Sequence, residues 1–298
     1  VINIVTNKKK RKWFLDTSYS YGSFNTHKSY VNFGQTFRSG LMYEINAFQN
    51  YSDNDYYVDT YVTHFSPDGN TTDKKKIEHV KRFNDTYHKV GWVGKPFADR
   101  LLFGFTYSNM YKEIQTGVRQ EAVFGEKHRK GHSLMPSLEY HKRDLFTKGL
   151  DVSLTANYNY NLTQNIDTVP YQYNWYGEKQ YTGSKGEQSY QDNESKNKNW
   201  NGTFKVDYRL SRTQTFTLSH VLTVFERSNR SDVNSTSAVS DFTVPKKTRK
   251  NITGLSYRLM PAERWNFSAF GKYYNQHSSG LVSQNADGIG NYIDMSKH

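Results

Sequence analysis

The sequence of 298 residues contains no cysteine, which excludes disulfide frameworks, thiolate zinc sites and cysteine nucleophiles. It has no run of 18 or more apolar residues, which excludes a helical membrane protein. Proline is scarce, with six residues, all expected in connections or at strand starts, where no ladder N–H is lost. No nucleophile elbow, metal-hydrolase motif or other catalytic constellation is present, so the chain reads as a non-enzyme with no cofactor. It begins at Val1 without Met and without a signal peptide, so an exported protein is expected to have its beginning missing or removed. The net charge of +12 would suit nucleic acid. Lys and Arg are nevertheless spread from Lys8 to Lys297 without a single basic element, and no nucleic acid partner is expected.

What is present points elsewhere. Aromatic residues make up 16% of the chain, led by 24 Tyr and 18 Phe, while the mean hydropathy is −0.89. Disordered chains share that polarity but are poor in aromatics. Gly149 to Leu162, GLDVSLTANYNYNL, resolves the conflict. Leu150, Val152, Leu154, Ala156, Tyr158, Tyr160 and Leu162 share one parity, and Asp151, Ser153, Thr155, Asn157, Asn159 and Asn161 the other. As a strand this segment has one apolar and one polar face; as a helix it would mix them on every side. Trp200 to Leu210 alternates in the same way. Strands of this length suffice to cross a bilayer, which takes roughly 9 to 11 residues. Half of each such strand faces a polar lumen, which explains the low hydropathy.

Taken in order, strands are expected over Trp13 to Tyr21, through Val31 to Phe37, and from Leu41 through Ala47, the last extending through Tyr56, Val58 and Val62. A return strand from about Ile77 to Val93, Leu101 to Tyr111, Leu138 to Arg143, the Gly149 and Trp200 segments, Thr215 to Glu226, Ile252 to Leu259 and Trp265 to Tyr274 follow. A Gly/Asn-rich tail ends the chain. Long polar loops are expected over Gln115 to Ser133, Gln164 to Asn199 and Arg227 to Lys247. Short turns near Ser39, Pro96, Phe146, Arg212 and Pro261 alternate with longer loops near Asn25, Asn70, Arg119, Gly183 and Asn234. One end of the sheet therefore collects the short turns, an asymmetry of outer-membrane barrels. The predicted fold is all-β: an antiparallel up-and-down transmembrane β-barrel, present in part, with about eleven strands.

The run VINIVTNKKKRKWFLDTSYSYGSFNTHKSYVNFG, Val1 to Gly34, resembles the plug-to-barrel junction of TonB-dependent outer-membrane receptors. Ile2, Asn3, Ile4, Val5 and Thr6 match the end of the plug motif, and Gly22, Ser23, Asn25 and Thr26 match the first barrel turn. The resemblance implies an end of a plug domain over residues 1–7 and a partial barrel over 8–298. It also implies a complete barrel of twenty-two strands around a plug. The implied function is TonB-dependent uptake of a scarce nutrient such as a siderophore, haem, cobalamin or an oligosaccharide across the bacterial outer membrane. The implied partners are outer-membrane lipid, the TonB complex acting through the plug region that this chain lacks, and a small-molecule or oligosaccharide ligand. A complete small porin or adhesin-type barrel is the alternative, and a soluble β-sandwich binding module a further one.

Two loop features carry candidate chemistry. Tyr171, Tyr173, Trp175, Tyr176 and Tyr181 lie in a polar loop away from strand parity, where rings can stack on a sugar or an aromatic ligand. Aromatics at a membrane interface are also an ordinary girdle feature. His128 and His132, with Met135 nearby, offer imidazole and thioether ligands. Their spacing on an expected irregular loop fixes no geometry, and the solvated-loop reading is preferred.

Overall fold

The computed structural model describes residues 12–66, 76–98, 100–117, 122–188, 190–231, 244–262, 264–284 and 290–297. Its strands are β1 Trp13–Gly22, β2 Thr26–Thr36, β3 Met42–Ser52, β4 Tyr57–Val62, β5 Lys76–Lys81, β6 Tyr87–Ala98, β7 Leu101–Glu113 and β8 His128–Lys142. They continue with β9 Leu150–Asp167, β10 Tyr171–Tyr173, β11 Lys179–Tyr181, β12 Gln191–Arg209, β13 Gln214–Ser231, β14 Lys246–Ala262, β15 Trp265–Gln284 and β16 Gly290–Lys297. Twelve of them form one antiparallel sheet in the order β1-β2-β3-β6-β7-β8-β9-β12-β13-β14-β15-β16, each beside its successor in that sheet. The pairs β4-β5 and β10-β11 are separate hairpins. The fold is the expected all-β, up-and-down antiparallel kind. Among the described residues, β1 and β16 are each paired on one side.

Register makes the sheet two-faced. Leu150, Val152, Leu154, Ala156 and Tyr158 of β9 stand opposite Tyr208, Val206, Phe204, Gly202 and Trp200 of β12. The row continues outward on both sides, with Tyr140 opposite Leu154 and Leu138 opposite Ala156, and Leu222 opposite Gly202 and Leu218 opposite Val206. A slip of one residue between any two strands would send one strand's apolar set to the other face. The register holds through the middle of the sheet and shifts near strand ends, between Leu259 and Ala262 in β14-β15 and between Leu281 and Gln284 in β15-β16. The apolar face is open to solvent, with Trp200 56% and Phe267 51% exposed. From Leu150 to Leu162 is about 40 Å along the strand. At the tilt of roughly 35 to 45° usual for membrane barrels this rises about 30 Å, the thickness of a bilayer's hydrocarbon core.

The opposite face is mainly polar, with close-approaching glycines and some apolar residues such as Phe48, Val221 and Ile252. Asn201 Nδ2 donates to Asn157 Oδ1 at 3.1 Å, and Ser108 and Ser133 hydroxyls meet at 2.8 Å. Phe48 lies across Gly91, its direct partner. A Cβ at Gly91 would sit 2.6 Å from the Phe48 ring and 2.7 Å from the Tyr107 carbonyl oxygen, so only glycine fits there.

Several expectations are corrected. The chain breaks after β3 at Asn54, whose φ is +50°, so the alternating residues from Tyr57 to Val62 belong to a separate hairpin. The expected return strand likewise divides into β5 and β6. Strands β8, β9, β12 and β13 run well into the predicted loops, reducing the Gln164 to Asn199 loop to residues 168–190. Gly290–Lys297 in the predicted tail is a strand, and the link near Asn25 has three residues, Ser23 to Asn25. Short turns do collect at one end, between β2 and β3, β6 and β7, β8 and β9, β12 and β13, and β14 and β15. The expectations on Val1 to Asn7, Pro67, Asn70, Arg119 and Asn234 fall outside the described residues.

Proline also behaves differently from expectation, because Pro96, Pro136 and Pro261 lie inside strands. Each sits where one of its two ladders is interrupted. The β6-β7 pairing skips Lys95 and Pro96, the β8-β9 pairing skips Met135 and Pro136, and β14-β15 shifts register between Leu259 and Ala262. A residue without an N–H is tolerated where no ladder bond is due.

Candidate functional site

Beyond the sheet, the long connections fold onto one another. The β4-β5 hairpin contributes Val62 and Val80, and the segment between β10 and β11 contributes Trp175; all three are buried, and Val58 and Val123 pack around them. This is a hydrophobic core made entirely by loops. Trp175 reaches it because Asn174 shapes the hairpin. The Asn174 side-chain oxygen accepts from the N–H groups of Tyr176 at 3.0 Å and Glu178 at 3.1 Å, an Asx-type turn completed by Gly177 at φ +75°.

Buried polar residues tie the assembly to the sheet. Gln115 is fully buried, and its Oε1 accepts from the N–H groups of Phe83 at 2.7 Å and Asn84 at 2.8 Å. Asn84 Nδ2 in turn donates to the Phe124 carbonyl at 3.0 Å. Asp167, at the end of β9 and on the polar face, is 1% exposed. It accepts from the N–H groups of Glu187 at 2.5 Å and Gln188 at 3.2 Å and meets Lys127 Nζ at 3.4 Å. Each bond joins segments distant in sequence, so the connections form one cooperative cap on the polar-face side. Loops with independent motion would leave such buried donors and acceptors unmatched.

Between the hairpins lies a cleft of about 170 Å³, lined by Tyr61, Thr63, Val123, Tyr173, Trp175 and Glu187 among others. Glu187 accepts from the N–H groups of Gly125 and of Glu126, the latter at 2.7 Å. Burial nevertheless pushes its carboxyl above the ordinary carboxylate value, against the opposing pull of those amides. Tyr173 donates to Glu126 Oε1 at 2.7 Å, and burial together with that bond raises its phenol.

A carboxyl raised in the folded state binds protons more readily there than when unfolded, so its stabilisation is complete in acid. It is lost as pH rises from the ordinary carboxylate value through the raised one. Hydrogen exchange over 122–127 and 182–188, corrected for the intrinsic rate, is therefore expected to show protection falling across that window. Glu187→Gln should flatten the slope; an unchanged slope in the variant would assign it to other groups.

The structure separates the predicted aromatic cluster. Tyr171 and Tyr181 face each other across the β10-β11 hairpin at 5.9 Å between ring centroids, with Lys179 over Tyr171. Tyr173 lies against Gly125 at the cleft, and Trp175 belongs to the loop core. Tyr176 donates to Glu78 Oε2 at 2.5 Å. Tyr176 and Tyr181 present exposed rings, at 53% and 68%. The cleft residues Tyr61 and Glu187 were missed by the sequence reading, because the hairpin pairing that gathers them has no local signal.

His128 and His132 lie on β8, correcting their placement on an irregular loop. Four residues along a strand separate them by about 13 Å, too far to share a metal ion. His128 packs on Tyr111 and His132 on Tyr160. Among the described residues no group of three or more His, Cys, Asp or Glu is placed to hold a metal.

No protein-family model matches the sequence, and no curated protein matches it. Among solved structures, the chain is similar to the siderophore receptor PiuA from Acinetobacter baumannii, with a TM-score of 0.56 and 8% sequence identity. The match covers 97% of this chain and 46% of the receptor, so the chain spans about half the length of the structure it resembles. At that identity the likeness is one of fold.

Proposed function

We propose that this chain forms part of the wall and the outer loops of a TonB-dependent outer-membrane receptor that takes up a scarce small-molecule nutrient. The observation that carries the reading is the register: across β7, β8, β9, β12 and β13 the apolar residues fall mainly on one face, while the long connections gather at one end. An apolar sheet face of this height suits lipid, and a polar face suits a lumen. The fold likeness to a siderophore receptor adds support, and a siderophore-like chelate is the nutrient it favours. On this reading the loop cap is the first contact for the ligand, with the exposed Tyr176 and Tyr181 rings and the cleft at Glu187 as its surfaces.

Uptake in cells distinguishes this from the porin and adhesin readings. Deleting the gene is expected to abolish growth on one iron chelate under iron limitation, and dissipating the proton-motive force should stop uptake of that chelate. Shortening residues 172–183 should weaken uptake. Passive conductance in a planar bilayer, with uptake indifferent to the proton-motive force, would favour a porin.

A further inference from the structure

On the polar face, the rows nearest the loops carry Lys28, Lys89, Lys112, Arg129, Arg227 and Lys246, all at the parity of Thr155 and Asn157. Two pairs among them are in direct cross-strand register: Lys112 stands opposite Arg129, and Arg227 opposite Lys246. Like charges so placed destabilise a sheet. Their partners here are neutral. Arg129 Nε donates to Asn165 Oδ1 at 2.7 Å, Arg227 Nε to Asn197 Oδ1 at 2.6 Å, and Lys89 lies 5.9 Å over the Phe48 ring. Among the described residues the one carboxylate on this face at that height is Asp167, already held by Lys127 and two backbone N–H groups. The loop carboxylate Asp85 is bound to Arg82 at 3.1 Å and is also pulled on by Lys112, so one cation of this set is offset in part.

The apolar face at the same height does the opposite. Glu194 stands opposite Arg230 and Lys198 opposite Glu226, and Glu226 opposite Lys247. Opposite charges thus face each other across the strands on one face, and like charges on the other. A local violation of cross-strand pairing that its neighbours offset only in part is a mark of a functional surface.

We propose that the ligand received at this mouth is a small polyanion rich in acceptor oxygens, drawn in by the unbalanced cations and oriented by the side-chain amides of Asn161, Asn165 and Asn197 between them. A concave surface lined by one sign of charge concentrates the opposite sign. The inference rests on the uptake reading, whose polar face is the lumen.

The test uses the full-length protein reconstituted in neutral lipid vesicles, with trisulfonated hydroxypyrene as the probe and fluorescence anisotropy as the readout. Binding is expected to weaken roughly tenfold in the triple variant Lys89→Gln, Lys112→Gln, Arg129→Gln, and to weaken with ionic strength in the parent. The variant Lys198→Gln, Arg249→Gln, Lys130→Gln, which removes the same charge from the apolar face, should bind as the parent does. Equal loss in both variants, unchanged binding in the first, or tighter binding of a tricationic dye of similar size would overturn the proposal. Protease protection of the same samples reports insertion separately: a protein that inserts yet prefers the cation defeats the charge inference alone, and one that fails to insert defeats the uptake reading beneath it.

Discussion

Replacing Trp175 with Ala is expected to cost the loop cap about 3 to 5 kcal/mol, the range for truncating a buried Trp. Trp175 is 3% exposed and packs with Val62 at 0% and Val80 at 2%, so the substitution empties the centre of a core with few other members. Amides of β4, β5, β10 and β11 should lose protection together, and protease should cut within residues 168–190. The twelve-stranded sheet shares none of this core and should keep its own protection. Cleavage and exchange unchanged from the parent would mean that the connections do not fold as one unit.

The second large effect concerns the sheet. Leu154→Arg or Phe204→Arg is expected to cost about 2 to 4 kcal/mol in a bilayer, the penalty of a guanidinium near the midplane on a lipid-facing position. Leu154 and Phe204 are direct cross-strand partners, in the middle of the apolar rows. Thr155→Arg, one position along and on the other face opposite Thr203, should cost little, since a lumen-facing position leaves the guanidinium in water. Denaturant titration of vesicle-inserted protein measures both; equal penalties at Leu154 and Thr155 would show that neither face meets lipid.

The two substitutions also mark what the sequence made legible. Parity around Leu154 could be read residue by residue, because a strand between lipid and water must alternate. The reading failed where both faces are wet. Gln191 to Lys198, QDNESKNK, carries no apolar alternation, yet it pairs continuously with β9, and from Asn193 onward with β13; the backbone ladder extends the strand where side chains give no sign of it. The same reason hid the upper part of β8, with His128 and His132, and the strand Gly290–Lys297 in the tail. At Tyr57 to Val62 the alternation was real but its owner was wrong, since the break at Asn54 depends on one residue's backbone and on a partner strand beginning at Lys76.

The candidate site was legible only as composition. An aromatic-rich loop could be seen around Tyr171 to Tyr181, but its division into a buried Trp175 and exposed Tyr176 and Tyr181 depends on the β4-β5 hairpin far away in sequence. Asp167 and Gln115 fell within the predicted polar loops, with nothing to mark them. Their burial and their bonds to backbone N–H groups appear only when three connections converge. The like-charge pairs on the polar face were equally hidden, since Lys112 and Arg129 become neighbours through register alone.

The absence of cysteine from the chain allows the central claim, a wall with one lipid face, to be tested without background labelling. Single cysteines placed at successive positions from Leu150 to Leu162, labelled with an environment-sensitive fluorophore in vesicles, are predicted to alternate. Even-numbered positions should emit at short wavelength and be quenched from within the lipid, and odd-numbered positions should be quenched by iodide from water. A profile without that two-residue period, or one in which iodide reaches both sets alike, would contradict it.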